Sequence, residues 1–496
     1  MNKRYVLFLV LLFILVFSLR IYFALQNPYF SEDEAYFTLR QVEHIKDTGM
    51  PIYEDNLSYG GRDYRFLPAY HYIIAVFSLF MPATIALKIV PNLLATSIII
   101  PVYLLINHIT KSKKIGLLGA GLASFVPIYI YETINSATVY TLTLPIILTV
   151  MYLFLRINFT KSPKWFIIFF IILLLTHPSA LLLVLALLLY LLFAWTEGLD
   201  VKRSEIELAL FSLFLSVLFY IFFFRDALIL HGPSIIFGNI PDKIMNNYFA
   251  GVELAETIFY IGIIPAFAAI FVSFLYFSKR KKKSVYLPMS SCFVIVFMLV
   301  AKVIPVILGL TYLSIMCTIL FGEFFAFISG YLKKTRSILI KWSAYLIIFI
   351  MLVTTSLVPS YFAAATVFEE KGEKELITTL QALGPLVSSN TTIAAAPENG
   401  HLLTYYTKSK NVLDSNYLFI KNLNERYNNL EALYTSAVAS KALEIMEIYD
   451  ITYIILDKRA REEYNVTKLS YANERCFPQI LEYNNTKVYM KKCTLV

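Results

Sequence analysis

The sequence predicts a polytopic α-helical membrane protein with a C-terminal extracytoplasmic α/β domain, and three observations carry that expectation. Apolar runs of about 20 residues, the length that crosses a bilayer, recur as far as residue 360. Hydrophobic residues fill 58% of the chain and charged ones only 16%, a balance foreign to soluble globular proteins. Basic residues gather in short clusters between the apolar runs, and the composition turns polar after residue 360. The net charge of +9 therefore reads as topology, because cytoplasmic loops collect Lys and Arg. No nucleic-acid partner is expected, since no basic patch is interleaved with aromatic residues.

The first run, residues 5–25, follows Lys3 and Arg4. It is longer than a signal-peptide core and ends in Leu25-Gln26-Asn27-Pro28, without a small-residue cleavage pattern, so it reads as a retained span. That places the N-terminus in the cytoplasm and the next loop, residues 26–85, outside. The loop carries Ser31-Glu32-Asp33-Glu34, Glu54-Asp55 and Tyr59-Gly60-Gly61-Arg62-Asp63. Its last part, residues 68–80 with His71, is short for a span and reads as a helix lying in the interface.

Spans at 86–108, 115–131 and 138–156 put Lys111 to Lys114 and residues 156–164 inside and leave 132–137 outside. The run 165–195 is too long for one span and breaks at Thr176-His177-Pro178, where proline cannot continue the hydrogen-bond ladder. A span at 206–224 leads to an outer loop, 225–255, holding His231. Spans at 256–277, 285–302, 309–330 and 338–359 complete a count of about eleven, with every basic cluster on one side. Residues 1–360 then form the transmembrane domain and 361–496 the outer one.

In the outer domain, residues 392–396 and 451–456 read as short buried strands, with helices at 425–434 and 441–449. Residues 476–493 read as a hairpin turning at Asn484-Asn485, which sets Cys476 opposite Cys493 at a separation that a disulfide can bridge. An oxidising exterior allows that bond, and the sequons at Asn390, Asn465 and Asn484 fit the same side.

The chemistry centres on the acids at 32–34. Three adjacent carboxylates at a membrane exit repel one another, which raises at least one pKa unless a cation or substrate compensates. Two readings fit them. One is a solvated first helical turn, with Ser31 as N-cap and Glu34 closing a capping box. The other is a site where one carboxylate takes a proton.

Asp33-Glu34-Ala35-Tyr36-Phe37 and the later Pro68-Ala69-Tyr70-His71-Tyr72 resemble the GT-C class of membrane glycosyltransferases. Within it they resemble the protein mannosyltransferase and aminoarabinose transferase family, which carries an Asp-Glu pair at this place. The spacing from Glu34 to Arg40 is also similar to the Asp-Pro-x-x-x-x-Arg pattern of oligosaccharyltransferase catalytic subunits. Ala396-Pro397-Glu398-Asn399-Gly400-His401 and Leu413-Asp414-Ser415-Asn416 lie where those enzymes have Trp-Trp-Asp-Tyr-Gly and a later Asp-Asn pair; the tryptophans and the aspartate are missing here.

The resemblance implies a GT-C-like fold and transfer of a sugar from a polyprenyl-phosphate carrier to a lipid, glycan or protein acceptor at the outer face. Such transfer needs a base for the acceptor hydroxyl and cations for the departing phosphate. Asp33 is the first choice of base and Glu34 the second. Arg62, Arg65 and Lys302 are the candidate cations, and each also reads as a plain loop or snorkelling charge. His71 and Glu132 are candidate substrate contacts, with weaker ones at His231 and Glu398, and Tyr59 and Tyr64 are candidates to stack on a sugar. No cofactor is required, but Glu32, Asp33 and Glu132 are the acids placed to hold a divalent metal such as Mg2+ or Mn2+. Two alternatives stand beside this reading. One is an oligosaccharyltransferase-like enzyme using a lipid-linked oligosaccharide. The other is a lipid-linked glycan transporter or a non-catalytic surface-glycan assembly protein.

Overall fold

The computed structural model describes residues 3–58, 61–157, 161–241, 243–245, 254–369 and 371–494. Tyr59, and part of the outer loop expected at 225–255, lie outside the described residues.

Among the described residues six helices are long and apolar enough to cross a membrane: Lys3–Gln26, Ala83–Thr110, Arg203–Phe223, Lys283–Val300, Val306–Lys334 and Ile338–Thr366. A seventh results if Lys113–Ser124 and Pro127–Thr133, bent by 52° at their junction, count as one. Shorter apolar helices occupy Ala69–Ser78, Tyr140–Leu155, Ser162–Leu174, Ala180–Thr196 and Ile263–Ser278. At the expected break, the His177 ring accepts the Ser179 amide and Tyr220 Oη donates to the His177 carbonyl, so the freed backbone is satisfied.

The boundary expected at 360 falls inside a helix. Ile338–Leu352 passes through a wide π turn, Val353–Leu357, into Val358–Glu369. Proline at 359 lacks an N–H to donate, and the widened turn just ahead of it accommodates that gap without ending the helix.

The helices that set up the first loop are α1 (Lys3–Gln26), α2 (Asp33–Thr48), α3 (Ala69–Ser78) and α4 (Ala83–Thr96). Two buried cations tie them to the loop after Pro127–Thr133. Arg20 on α1 donates to Asn92 Oδ1 at 3.0 Å and to Thr133. Lys88 on α4 donates to the carbonyls of Ala24, Asn27 and Tyr29, at 2.9, 2.7 and 3.2 Å, and to Asn135 Oδ1 at 2.8 Å. The chain leaving α1 is thereby strapped down just before α2 begins.

Beyond the last long helix, five strands form one mixed sheet in the order β4-β3-β5-β7-β6. They are β3 (Thr392–Ala394), β4 (Lys410–Asn411), β5 (Ile451–Leu456), β6 (Gln479–Tyr483) and β7 (Thr486–Met490). Strand β3 runs parallel to β4 and β5, whereas β7 pairs antiparallel with β5 and β6. Alternation along β5 gives the sheet two working faces. Ile455 packs into a core continuous with the helical bundle, and Ile454 and Leu456 into a separate one with Leu430 and Met446. The hairpin turns where Tyr483 pairs with Thr486, and Cys476 and Cys493 are disulfide-bonded.

The first loop reaches this sheet directly. Its own two strands, β1 (Glu54–Asp55) and β2 (Arg62–Asp63), pair antiparallel. Ser58 then bridges in parallel to Asn411, whose amide donates to the Leu57 carbonyl at 2.9 Å. The otherwise open β4 edge is covered by the loop.

Replacing Lys88 with Met takes its ammonium donor from the Ala24 and Asn27 carbonyls and Asn135 Oδ1, while the Tyr29 carbonyl keeps the Asn135 amide at 2.9 Å, at about 1–3 kcal/mol for each oxygen left buried and unpaired. Lys88→Met is expected to lower stability by at least about 2 kcal/mol, read as an earlier unfolding midpoint of the purified protein in detergent.

Candidate active site

Helix α2 starts with Asp33 as its first residue, and Glu32 at the N-cap position makes no capping bond with its side chain. The capping box expected from Ser31 and Glu34 is therefore not formed. The Asp33 carboxylate serves another helix instead. It is buried and accepts the backbone amides of His401, at 3.2 Å, and Leu402, at 2.7 Å, at the N-terminal end of helix Gly400–Thr407. Those amides have no intrahelical acceptor, and the positive end of the helix favours an anion there. Burial pushes the Asp33 carboxyl well above its usual range, and the two amide donors pull it back in part.

Behind this contact lies a second buried acid. Asp414 accepts hydrogen bonds from Ser58 Oγ, from the Asn416 amide at 3.0 Å and from Arg62 through both carboxylate oxygens at 3.1 Å. Burial alone would raise its carboxyl, but Arg62 and His401 beside it, with the Ser58 and Asn416 donors, hold it down at about 2. Arg62 also donates to the Asn416 carbonyl and lies 4.3 Å from the Tyr64 ring centre. Gly400 makes this packing feasible: a Cβ there would come within 2.5 Å of Asp414 Cβ and of the Leu413 carbonyl. A further buried pair, Arg40 with Asp55 at 3.0 and 3.1 Å, fastens α2 to β1.

Glu34 is placed differently from its neighbour. Its side chain keeps exposed surface, yet the surrounding protein desolvates it enough to raise its carboxyl above the usual range. Its charge reaches the phenols of Tyr64 and Tyr70 and opposes that of Glu132, which is buried at the end of Pro127–Thr133. Tyr70 Oη donates to the Ala137 carbonyl at 2.8 Å, fixing α3 against the loop that follows Glu132. Asp33 and Glu34 thus divide the work: one is committed to a structural contact and the other is open.

The remaining expected residues are scattered. Arg62 is committed to Asp414 as described. Arg65 pairs with Asp226 at 2.7 Å, both about half exposed. Lys302 is exposed, with a positive φ of 55°, just past the end of helix Lys283–Val300. Neither Arg65 nor Lys302 makes a described hydrogen bond or ion pair to Glu34, so the structure does not assemble the acid and the three candidate cations into one cluster. Among the described residues no three His, Cys, Asp or Glu side chains are grouped to hold a metal ion, and this includes Glu32, Asp33 and Glu132. His71 is buried against the rings of Phe66, at 4.7 Å, and Phe37, at 5.8 Å. A cavity of about 370 Å³ opens elsewhere, lined by His231, Phe237, Asn239, Asn422 and Glu425 among others, and is lined by none of Glu32, Asp33, Glu34 and Glu132.

Sequence reasoning gave no role to Lys88, Arg20 or Asp55. For the first two a signal was present, since a cation inside an apolar run demands buried partners.

No family model matches the sequence, and neither does any curated protein. Solved structures do match in fold. The oligosaccharyltransferase AglB from Archaeoglobus fulgidus, in complex with an inhibitory peptide and a dolichol-phosphate, is 12% identical with a TM-score of 0.70, over 90% of this chain and 69% of that one. ArnT from Cupriavidus metallidurans, bound to undecaprenyl phosphate, is 10% identical with a TM-score of 0.54, over 99% and 98%. The arabinofuranosyltransferase AftD from Mycobacteria is 12% identical with a TM-score of 0.58, over 97% of this chain and 40% of that one. All three are GT-C glycosyltransferases, and the likeness shows that this chain has the GT-C fold.

Removing Arg62 strands the Asp414 carboxylate in the interior, and breaking a buried pair this way costs about 3–5 kcal/mol. Arg62→Met is expected to lower stability by that order and Arg62→Met/Asp414→Leu to recover most of it, by the same unfolding assay. The Asp414 contribution is present above the ordinary carboxyl range and lost as pH falls toward 2. In Arg62→Met, where Asp414 loses its largest charged partner, acid unfolding is expected to begin at higher pH than in the wild type.

Proposed function

Proceeding from the GT-C fold, we propose that this chain transfers a sugar from a polyprenyl-phosphate carrier to an acceptor hydroxyl at the outer face of a membrane, with Glu34 as the base. The observation that carries the reading is the division between the two adjacent acids. Asp33 is spent on helix Gly400–Thr407, whereas Glu34 beside it is exposed, makes no hydrogen bond among the described residues and keeps its lone pairs for a substrate. A carboxyl raised by its surroundings is a stronger base once ionised, which suits proton abstraction near neutral pH.

In the proposed step Glu34 takes the acceptor proton as the acceptor oxygen attacks the anomeric carbon. The bond from that carbon to the carrier phosphate breaks, and the phosphate leaves with the electron pair, inverting the anomeric centre. Arg65, half exposed and paired with Asp226, is the cation we assign to the departing phosphate, because exchanging one anion for another costs little at an exposed pair.

The proposed layout has eleven spans: the six long helices, the bent pair, and the shorter apolar helices other than Ala69–Ser78. It keeps the N-terminus in the cytoplasm and the five-stranded sheet outside, where the bond between Cys476 and Cys493 is at home. An oligosaccharyltransferase-like reaction is the second reading, favoured by the TM-score of 0.70 to AglB. The carrier released, a monophosphate or a diphosphate, separates the two.

Glu34→Gln, reconstituted in liposomes with polyprenyl-phosphate-linked sugars, is expected to lose transfer by about 10²–10⁴-fold at normal abundance. Release of free polyprenyl phosphate is the readout. The wild-type rate should fall on the acid side with an apparent pKa above that of an ordinary glutamate, because only the ionised carboxylate accepts the proton. Undiminished release in Glu34→Gln would contradict the assignment.

A further inference from the structure

Five Asn-x-Ser/Thr tripeptides occur in the chain, at Asn56, Asn158, Asn390, Asn465 and Asn484. Attaching a glycan to such an asparagine requires an enzyme to reach its side-chain amide and to read the hydroxyl two residues on, so in a folded chain both must be accessible. At three of the five the asparagine is exposed but the hydroxyl is not. Ser58 is 0% exposed and donates to Asp414, and Thr392 and Thr486 are 7% and 1% exposed inside β3 and β7. Each of those strands is paired on both sides, so drawing either threonine out would unzip the sheet. The Asn484 amide is engaged as well, donating to Glu375 at 3.2 Å. Asn158 lies outside the described residues, in the stretch 156–164 that the proposed layout puts in the cytoplasm.

Asn465 differs from all of these. It and Thr467 are both exposed, and neither side chain makes a hydrogen bond among the described residues. Helix Lys458–Glu463 ends here: Asn465 has a φ of 52°, and the Val466 amide donates back to the Arg461 carbonyl at 3.1 Å. A helix end of this kind asks for Gly or Asn at the left-handed position, which accounts for the asparagine, but it asks nothing of the residue two further on. Thr467 therefore has no structural task in the turn. Tyr464 and Leu469 are buried and pin the turn at either side. Lifting the tripeptide between them costs one described backbone hydrogen bond and the half-buried packing of Val466. Both lie at the end of a six-residue helix, where helices fray most easily.

We propose that Asn465 is an N-glycosylation site, modified after folding by an oligosaccharyltransferase that uses a lipid-linked glycan, and that the other four tripeptides stay bare. In the step, Asn465 Nδ2 forms a bond to the anomeric carbon of the glycan. The bond from that carbon to the carrier phosphate breaks, its electron pair leaves with the phosphate, and the amide nitrogen gives up one proton to a base of the modifying enzyme. This goes beyond the transfer assigned to Glu34 and rests on the outer placement of the sheet domain in the proposed layout.

The test is mass spectrometry of the full-length protein, expressed in the cells it comes from and purified from their membranes. Trypsin releases the whole tripeptide in one piece, residues 462–468, between the cuts after Arg461 and Lys468. Most of that peptide is expected to carry the added mass of a glycan, while the peptides holding Asn56, Asn390 and Asn484 keep their unmodified masses. Thr467→Ala should abolish the addition and Thr467→Ser should retain part of it, a pattern that misfolding does not produce. Placement is read independently, by reacting Lys468→Cys in intact cells with a membrane-impermeant maleimide, since Lys468 is exposed. A bare Asn465 with a reactive cysteine overturns the glycosylation and leaves the layout standing. A bare Asn465 with a cysteine that reacts only after the membrane is opened overturns the outer placement and the glycosylation with it. Glycan on Asn390 or Asn484 to the same extent as on Asn465 overturns the claim that burial of the hydroxyl selects the site.

Discussion

The organising contact is the buried carboxylate of Asp33 at the start of helix Gly400–Thr407. Two backbone amides with no acceptor of their own meet an anion that burial would otherwise disfavour, and each resolves the other's problem. The contact joins residues 368 and 369 positions apart in the chain. It fixes the azimuth of α2, and with it the direction in which Glu34 and Phe37 point.

Supporting contacts surround it at every step outward. Arg62 and Ser58 bring the loop to Asp414 on the sheet side. Arg40 and Asp55 fasten the helix to its own loop. Lys88 straps the peptide that precedes α2 to the helical bundle. Each pairs a buried charge with matched donors or acceptors, the condition under which buried charges are tolerated. A helix held this way is preorganised: the exposed carboxylate of Glu34 stands where its buried neighbours have put it.

Much of this was legible in the sequence, for identifiable reasons. Apolar run length and the proline at 178 marked helices and their break, and short apolar runs between polar stretches marked β3 and β5. Asn484 and Asn485 marked the turn of the hairpin that carries Cys476 and Cys493. What periodicity could not give was partnership. Asp33 and Glu34 are adjacent acids of nearly the same chemistry, and nothing local separates the one that caps a distant helix from the one left open. Arg62 reads as a loop charge until Asp414 is brought beside it. The packing of the His71 ring against Phe37 and Phe66 joins residues that no local pattern links. Long-range pairing decides all three.

The central claim is that Asp33 holds the first loop to the five-stranded sheet domain and so sets the position of Glu34, the proposed base. It is tested most directly by hydrogen–deuterium exchange, followed by mass spectrometry, of the peptide spanning residues 400–407. The account predicts strong protection of the His401 and Leu402 amides in the wild type, and exchange accelerated by at least about tenfold in Asp33→Ala, since losing an ionic hydrogen bond is worth about 1.5–3 kcal/mol. Equal protection with and without the Asp33 carboxylate would contradict it.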